Sequence, residues 1–444
     1  MTDAFRLFEP VFERENNTLR FEYDVPGFGR FEETVRYPAE ADLGGISEER
    51  LKALSALAAI VIGTSYFKAR PAKTLAFDFS LTEAAERLAL LAYGPGLGEF
   101  YVRNALAYPP SLSVDATRAR DLPAKKSEGR QAVTAFGGGK DSHVASDVVR
   151  RVGGEAERVS VILSETVGDR LQTMSETPVV LIRRMIDPRL IEISKSGEAL
   201  NGHIPITAIN SVLLAIHAAA RGLDWVVFAN ERAASEPTMQ INGLGVNHQF
   251  SKSLEFEDAL IAAFDAAGAQ FSYFSVLRPT SELWTAHYLA TYAEHALPIF
   301  ASCNRNFVFA GETALAEGRR WCGHCAKCVY TAVLLAPFLP MDRHAEIFQS
   351  TPLHDQDNAE FLNEIAGLTG AKPWECVGET REVAAALAHL GSAPGWCEAP
   401  LIAGVQDRLY ERWTREELAE TWRRSLDARS EHRMPKPVAE IVSA

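Results

Sequence analysis

Three consecutive glycines and a Lys-Asp-Ser triplet stand together in the string FGGGKDS, which begins at Phe136. Glycine loses more conformational entropy on ordering than any other residue, so three in a row indicate bare backbone that must approach something closely. The apolar run AVTAF overlaps the start of the string, and the helical pattern DSHVASDVVRRV begins within it and continues beyond it. This order predicts a strand, a tight turn and a helix N-terminus, whose free N–H groups attract anions.

The side chains in this string predict a polyphosphate site. Gly137–Gly139 would admit phosphate to the backbone, Lys140 would add positive charge, and Ser142 would donate a hydrogen bond. Asp141 would repel a bare phosphate, but it suits a Mg²⁺ ion that bridges carboxylate and polyphosphate. The Walker pattern does not fit, because Asp141 stands where Ser or Thr should follow the lysine, and the dinucleotide pattern lacks its third glycine. A glycine-rich strand–helix turn without a ligand is the alternative.

Four cysteines form a second group with chemical potential. Cys303, Cys322, Cys325 and Cys328 have the spacing C-x18-C-x2-C-x2-C. Four thiolates suit tetrahedral Zn²⁺, and the two-residue gaps let one tight turn supply several ligands. An iron–sulfur cluster is the alternative, but the Cys-Pro that ends one common cluster-binding run is missing, so zinc is favoured. Four protein ligands leave no open position, so the predicted metal is structural.

Composition limits the class of protein. The chain has 444 residues, which at roughly 150 per domain suggests two or three domains. A net charge of −13 does not favour binding to nucleic acid or to an anionic membrane. The N-terminus lacks the apolar stretch of a secretory signal, and the run ALSALAAIVIG is too short to span a bilayer. We therefore expect a cytoplasmic protein without a membrane partner.

The elements that must position these groups follow from periodicity. TLRFEYDV and RFEETVRY alternate around PGFG and predict a hairpin, whereas strands and helices alternate from Ala132 onward. That alternation predicts an α/β fold with a doubly wound, mostly parallel sheet. We predict four parts: an α+β N-terminal region (1–112), a linker or mobile loop (113–130), the phosphate-loop domain with the four-cysteine site (131–340), and a mainly helical C-terminal region (341–444).

A polar stretch follows the predicted strand DWVVFAN, where the carboxyl end of a core strand would open into a binding loop. A solvated insertion is the alternative. Its candidate substrate-binding residues are Asn230, Arg232, Ser235, Asn247, Gln249 and Ser251.

FGGGKDS resembles the pyrophosphate loop of the ATP-pyrophosphatase (PP-loop) superfamily, S-G-G-x-D-S, with Gly137 where Ser is commoner. The resemblance implies a PP-loop or HUP-like fold, cleavage of ATP to AMP and pyrophosphate, and Mg²⁺ at Asp141. The residues that would contact ATP or pyrophosphate are Phe136, Gly137, Gly138, Gly139, Lys140, Asp141, Ser142 and Glu165.

Six strings in order resemble one family more closely: FGGGKDS, GHIPITAIN, NERAASEP, NHQFSKSLEFE, CNRNF and WCGHCAKC. They are similar to the ATP-dependent UDP-N-acetylmuramoyl-L-alanyl-L-glutamate epimerases (MurL). That resemblance implies inversion of the terminal L-Glu of a UDP-sugar peptide through an acyl-adenylate. It does not assign the proton-transfer groups, for which the candidates are His203, Glu231, His248 and Lys252.

Three other functions compete with this interpretation. An enzyme like 7-cyano-7-deazaguanine synthase also combines such a loop with four cysteines, but its loop stands at the extreme N-terminus. A tRNA-thiolating enzyme would need a large RNA footprint, which the acidic charge disfavours. A non-catalytic nucleotide sensor would have no need for the Asp141 carboxylate. The sequence leaves the oligomeric state open.

Overall fold

The computed structural model describes residues 4–241, 243–307, 318–369 and 377–443. Within them, eleven strands form one sheet and two more form a small hairpin. The strands are β1 (Ala4–Leu7), β2 (Val11–Glu13), β3 (Thr18–Val25), β4 (Gly29–Arg36), β5 (Thr74–Phe77), β6 (Ser113–Asp115), β7 (Ala132–Ala135), β8 (Ala156–Ile162), β9 (Val180–Met185), β10 (Trp225–Phe228), β11 (Met239–Ile241), β12 (Leu244–Val246) and β13 (Ser272–Ser275).

Helices pack around this sheet and make up most of the chain after residue 325. They are α1 (Glu48–Phe67), α2 (Glu83–Tyr93), α3 (Gly98–Arg103), α4 (Lys140–Arg151), α5 (Glu165–Thr173), α6 (Pro188–Lys195), α7 (Ile206–Arg221), α8 (Leu254–Ala266), α9 (Glu282–Tyr292), α10 (Ala326–Leu335), α11 (Met341–Phe348), α12 (Ala359–Ile365), α13 (Thr380–Leu390), α14 (Pro400–Arg412), α15 (Arg415–Ser425) and α16 (Lys436–Val442).

The strand order is β13-β10-β7-β8-β9-β4-β3-β1-β5-β6. The first five strands in this order are all parallel, so the predicted α/β alternation and mostly parallel sheet are confirmed. From β7 the chain steps outward to β8 and β9, then returns to β10 and β13 on the other side. The order therefore reverses between β7 and β10, and in open α/β sheets the crevice at such a point is where ligands bind.

The N-terminal strands extend this same sheet. The predicted hairpin is confirmed as β3 and β4, and β4 joins the parallel half by antiparallel pairing with β9. Residues 113–130, predicted as a linker or mobile loop, begin with β6, which pairs with β5. Backbone hydrogen bonds also hold Leu122 to Ala266 and Ser127 to Gln270, so the segment lies against the body of the protein.

A buried ion pair lies where the N-terminal strands join the parallel part of the sheet. Arg184 on β9 contacts Glu33 on β4 through two nitrogens, and both side chains are almost fully buried. Ser65 accepts a further hydrogen bond from Arg184 at 2.9 Å, and the Tyr66 hydroxyl donates to Glu33 at 2.9 Å. Such a pair tolerates burial only because its remaining polar atoms also find partners.

Among the described residues, α1 is the one helix long and apolar enough to cross a membrane. However, 83% of its most apolar window is buried inside the protein, and the Tyr23 hydroxyl on β3 donates to the Ala59 carbonyl within it. This is the environment of a core helix.

The predicted helical C-terminal region is confirmed by α11–α16. A capping box between Thr414 and Glu417 begins α15, because each side chain bonds the other residue's backbone N–H. The Trp321 ring packs on Phe300 and on Phe348 of α11, which joins the start of this region to the segment that precedes Cys303.

Candidate functional site

The glycine loop lies at the carboxyl end of β7, at the reversal point of the sheet. Phe136 is buried in a small apolar cluster, so its side chain belongs to the core. Gly138 has a φ of +72°, and a Cβ there would lie 2.6 Å from Met174 Sδ. Helix α4 begins at Lys140 without a side-chain cap on its N-cap residue Gly139. The loop therefore presents helix N–H groups at the crevice, as an anion site requires.

Lys140 points inward into a group of three carboxylates. Its side chain is only 4% exposed and makes close ion pairs with Asp141 and Glu282, while Glu231 Oε1 lies 3.7 Å from its Nζ. The three carboxylates lie within 4.8 Å of one another. Asp141 follows β7, Glu231 follows β10 and Glu282 follows β13, so three adjacent parallel strands each bring one carboxylate to the same edge.

Electrostatic interactions in this cluster are strong because Lys140, Glu231 and Glu282 are largely buried. Burial and then the neighbouring carboxylates of Glu282 and Asp141 raise the pKa of Glu231 well above its usual range. Burial opposes charge on Asp141, yet the ammonium of Lys140 keeps the pKa of that carboxyl low, with help from Lys327 and Lys252. Three carboxylates around one lysine form a set of hard oxygen donors that Mg²⁺ prefers.

Arg278, just after β13, holds the backbone of two candidate residues. Its fully buried guanidinium donates to the carbonyls of Glu231 at 2.9 Å and Lys252 at 2.6 Å. The same group makes a two-nitrogen pair with Glu257 on α8, at 3.0 and 2.8 Å. Arg278 therefore positions the loops after β10 and β12 relative to the sheet.

The four cysteines converge as the spacing predicts. The Sγ–Sγ distances are 4.0 Å for Cys303–Cys325, 3.7 Å for Cys322–Cys328 and 3.5 Å for Cys325–Cys328. Tetrahedral zinc with bonds of about 2.3 Å separates its sulfurs by about 3.8 Å, so the four thiols fit a single ion. Cys397 lies elsewhere, and Cys376 lies outside the described residues.

His203 and His248 meet at a third group, although 45 residues of sequence separate them. Their ring centroids are 4.6 Å apart. Both Nδ1 atoms face Glu99 Oε2 on α3: His248 makes a close hydrogen bond and His203 lies at 3.6 Å. The charge of Lys252 acts on both groups of residues and helps to lower the pKa of His203 as well as that of Asp141.

The other predicted residues have more local roles. Glu165 is exposed at the start of α5 and pairs with Arg183. The Asn230 amide donates to Ser275 and the Asn247 amide to the Ala234 carbonyl. Of the rest, Arg232 pairs with Glu379, Ser235 accepts from the backbone of Leu254, the Ser142 hydroxyl donates to the Gly139 carbonyl, Gln249 accepts from Lys252, and Ser251 is buried.

Sequence reasoning missed Glu99, Glu282 and Arg278. Glu99 sits in GPGLGEFY, far from the strands that carry the site, and no local signal identifies it. Glu282 and Arg278 occur in VLRPTSEL directly after a core strand, and that position was a signal, because polar residues at carboxyl ends of parallel strands face the ligand crevice.

Comparison with known proteins identifies relatives along nearly the whole chain. The model of the MurL N-terminal domain matches residues 1–276, and that of the MurL C-terminal domain matches residues 299–420. A UDP-N-acetyl-alpha-D-muramoyl-L-alanyl-L-glutamate epimerase of Salinispora tropica is 34% identical over 92% of this chain and 89% of its own length. The enzyme of the same name from Xanthomonas oryzae pv. oryzae is 36% identical over 90% and 88%. The chain therefore belongs to the MurL family.

Proposed function

We propose that this protein uses ATP and Mg²⁺ to invert the terminal L-Glu of UDP-MurNAc-L-Ala-L-Glu to D-Glu, with AMP and pyrophosphate as by-products. The observation that carries the proposal is the glycine loop with Lys140 and three carboxylates at the sheet's reversal point, in a chain whose relatives are named as epimerases of that substrate. The PP-loop type of fold is part of the same proposal.

Adenylation explains why an epimerase would need such a site. An α-proton beside a free carboxylate resists removal, because the resulting dianion is poorly stabilised. Joining the carboxylate to AMP removes its charge, so that the Cα–H becomes more acidic and the enolate easier to form. A base can then take the proton and an acid can return one from the opposite face, after which water releases the inverted product and AMP.

The residues of the loop have distinct roles in that first step. Gly137–Gly139 admit the β- and γ-phosphates to the helix N-terminus, and Lys140 stabilises the charge that develops on the departing pyrophosphate. Asp141, Glu231 and Glu282 are the residues that would hold Mg²⁺. Bound there, the ion would offset the negative charge that three carboxylates and a triphosphate bring together. Lys252 and Lys327, whose charges lower the pKa of Asp141, would attract the anionic substrate.

Zinc is the metal we propose for the four cysteines, and its role is structural. The thiol spacing suits one tetrahedral ion, whereas an iron–sulfur cluster spreads its thiolates over separate irons. The zinc ion would act on the proposed reaction only indirectly, by fixing the loop that carries the cysteines.

The decisive experiment supplies purified protein with ATP, Mg²⁺ and UDP-MurNAc-L-Ala-L-Glu, and measures AMP together with the configuration of glutamate. AMP and D-Glu in equal amounts are expected, and Asp141→Asn should abolish both. AMP without D-Glu would contradict the epimerase while retaining adenylation, as another PP-loop enzyme would show. Binding of ATP without any AMP would indicate a nucleotide sensor instead.

A further inference from the structure

Glu99 is a buried carboxylate that the proposed adenylation does not use. Its side chain is 6% exposed, and one oxygen faces Nδ1 of both His203 and His248. Its other oxygen accepts from Arg103 Nε at 2.8 Å, one turn along α3. A carboxylate placed against the Nδ1 atom of an imidazole fixes the tautomer that leaves Nε2 available as a base.

The N-terminal region supplies this carboxylate, and packing holds it in place. The Asn104 amide at the end of α3 donates to the Asn201 carbonyl at 3.1 Å, which ties down the segment that carries His203. The Tyr108 hydroxyl donates to the Gly245 carbonyl in β12 at 3.2 Å, which fixes the strand that leads to His248. Three separate stretches of chain are thus locked around one carboxylate.

We propose that Glu99, His203 and His248 form a single proton-transfer unit that acts on one face of the substrate carbon, with His248 as the base and Glu99 as its positioning residue. This rests on the proposed epimerase function. His248 Nε2 takes the Cα proton of the acyl-adenylate, the C–H electron pair becomes the enolate, and the Nδ1–H bond to Glu99 stabilises the resulting imidazolium. A different acid protonates the opposite face.

One carboxylate holds both imidazoles and so joins them in a single unit. The ring centroids of His203 and His248 are 4.6 Å apart, and both rings turn Nδ1 toward Glu99 Oε2. Because the two rings lie side by side and share this partner, we assign both to the same face of the substrate carbon.

The charges around the pair are consistent with one active base. Burial and then the neighbouring His248 lower the pKa of His203 to about 4, so His203 stays neutral near pH 7. Among the described residues, Glu99 contacts both rings and Arg103 pairs with Glu99, while Lys68 and Lys252 bond Gly202 and Gln249, the neighbours of His203 and His248. Arg278 bonds the carbonyls of both Glu231 and Lys252, which ties the segment that carries His248 and Lys252 to the proposed adenylation site.

Glu99→Gln tests the proposal, because it preserves shape and removes charge. Substrate-dependent exchange of pyrophosphate into ATP reports adenylation and correct folding. Loss of the substrate α-proton to D₂O reports the base. We expect Glu99→Gln and His248→Asn to keep the exchange near the wild-type rate and to lower α-proton loss and D-Glu formation on the order of 100-fold. Glu99→Asp should recover part of the activity. The matched control is Glu86→Gln on α2, which removes the charge from a surface pair with Arg118.

The pH profile separates positioning from a merely structural role. Because a neutral amide stabilises imidazolium less than a carboxylate does, the acid limb of kcat/KM should move to lower pH in Glu99→Gln. Equal losses of exchange and epimerisation, or an unmoved limb, would overturn the proposal. The proposal would also be overturned if the wild-type protein held a second equivalent of metal that Glu99→Gln lost. Glu99, His203 and His248 would then be metal ligands. Absence of exchange in the wild-type protein would instead refute the proposed function itself.

Discussion

The backbone N–H of Ala301 donates a 2.9 Å hydrogen bond to the carbonyl of Gly138, in the middle of the glycine loop. Cys303 follows two residues later, and a Cβ on Gly139 would lie 3.0 Å from Ser302 Oγ. The segment that the cysteine site anchors is therefore packed directly against the proposed phosphate loop. Through this contact, a metal bound by the cysteines would support the proposed phosphate loop without taking part in the reaction.

Cys303→Ser should release the metal and weaken adenylation. Loss of one thiolate breaks the four-ligand set, and the segment at Ala301 then loses its anchor. We expect one equivalent of zinc to disappear, the thermal midpoint to fall, and pyrophosphate exchange to drop by roughly tenfold or more. Metal analysis, thermal unfolding and the exchange assay measure these effects. Cys397→Ser is the control, since Cys397 lies outside the cluster. Unchanged zinc content in Cys303→Ser would contradict the assignment of Cys303 as a zinc ligand. Iron in the wild-type protein would show that the four cysteines hold an iron–sulfur cluster and not zinc.

Gly138→Ala should damage ATP use far more than Gly137→Ala. Gly138 has a φ of +72° and no room beside Met174, whereas a Cβ at Gly137 meets nothing within 4 Å. The backbone term alone is about 1–2 kcal/mol, and the clash adds to it. We expect a higher KM for ATP and a lower thermal midpoint in Gly138→Ala. Gly137→Ala and Gly137→Ser should remain close to wild type, and equal damage at both positions would show that the loop adopts another conformation.

Arg278→Lys should be costly although it conserves charge. Lysine cannot reproduce the two-nitrogen pair with Glu257 while also reaching the carbonyls of Glu231 and Lys252. Breaking a buried pair of this kind destabilises by about 3–5 kcal/mol, and we expect a loss in that range by urea unfolding. Pyrophosphate exchange should fall as well, because Glu231 loses its anchor. Arg183→Lys, at the exposed pair with Glu165, is the matched control and should change stability by less than about 1 kcal/mol.

Stability should fall as pH drops from 6.5 toward 4, in part because of His344. Burial lowers the pKa of this side chain to about 4, and its Nε2–H donates to the Ala332 carbonyl at 3.0 Å. Above pH 6.5 the His344 imidazole is neutral in both the folded and the unfolded protein. Below pH 6.5 it binds a proton in the unfolded chain but stays neutral in the folded protein until the pH approaches 4. The shift corresponds to about 3 kcal/mol. In urea titrations, His344→Gln should lose less stability than wild type between pH 7.5 and 4. The half-exposed His295→Gln should keep the wild-type dependence, and identical slopes for all three proteins would contradict this prediction.

Patterns along the chain were enough to determine the local features of this protein. The alternation in TLRFEYDV and RFEETVRY predicted the β3–β4 hairpin, and the strand–turn–helix order around FGGGKDS placed the loop at the carboxyl end of a parallel strand. The cysteine spacing predicted that Cys303 would meet the other three. These inferences succeeded because strand periodicity, turn chemistry and ligand spacing are short-range properties.

Only the tertiary structure decided which distant residues share a site. Asp141, Glu231 and Glu282 come together because β7, β10 and β13 are adjacent and parallel, which strand order decides and spacing along the chain does not. Glu99 reaches His203 and His248 because hydrogen bonds from Asn104 to Asn201 and from Tyr108 to Gly245 hold the end of α3 against the segments that carry the two histidines. Long-range packing is the sum of many weak contacts, so the sequence could nominate the two histidines, but it could not reveal the carboxylate that joins them.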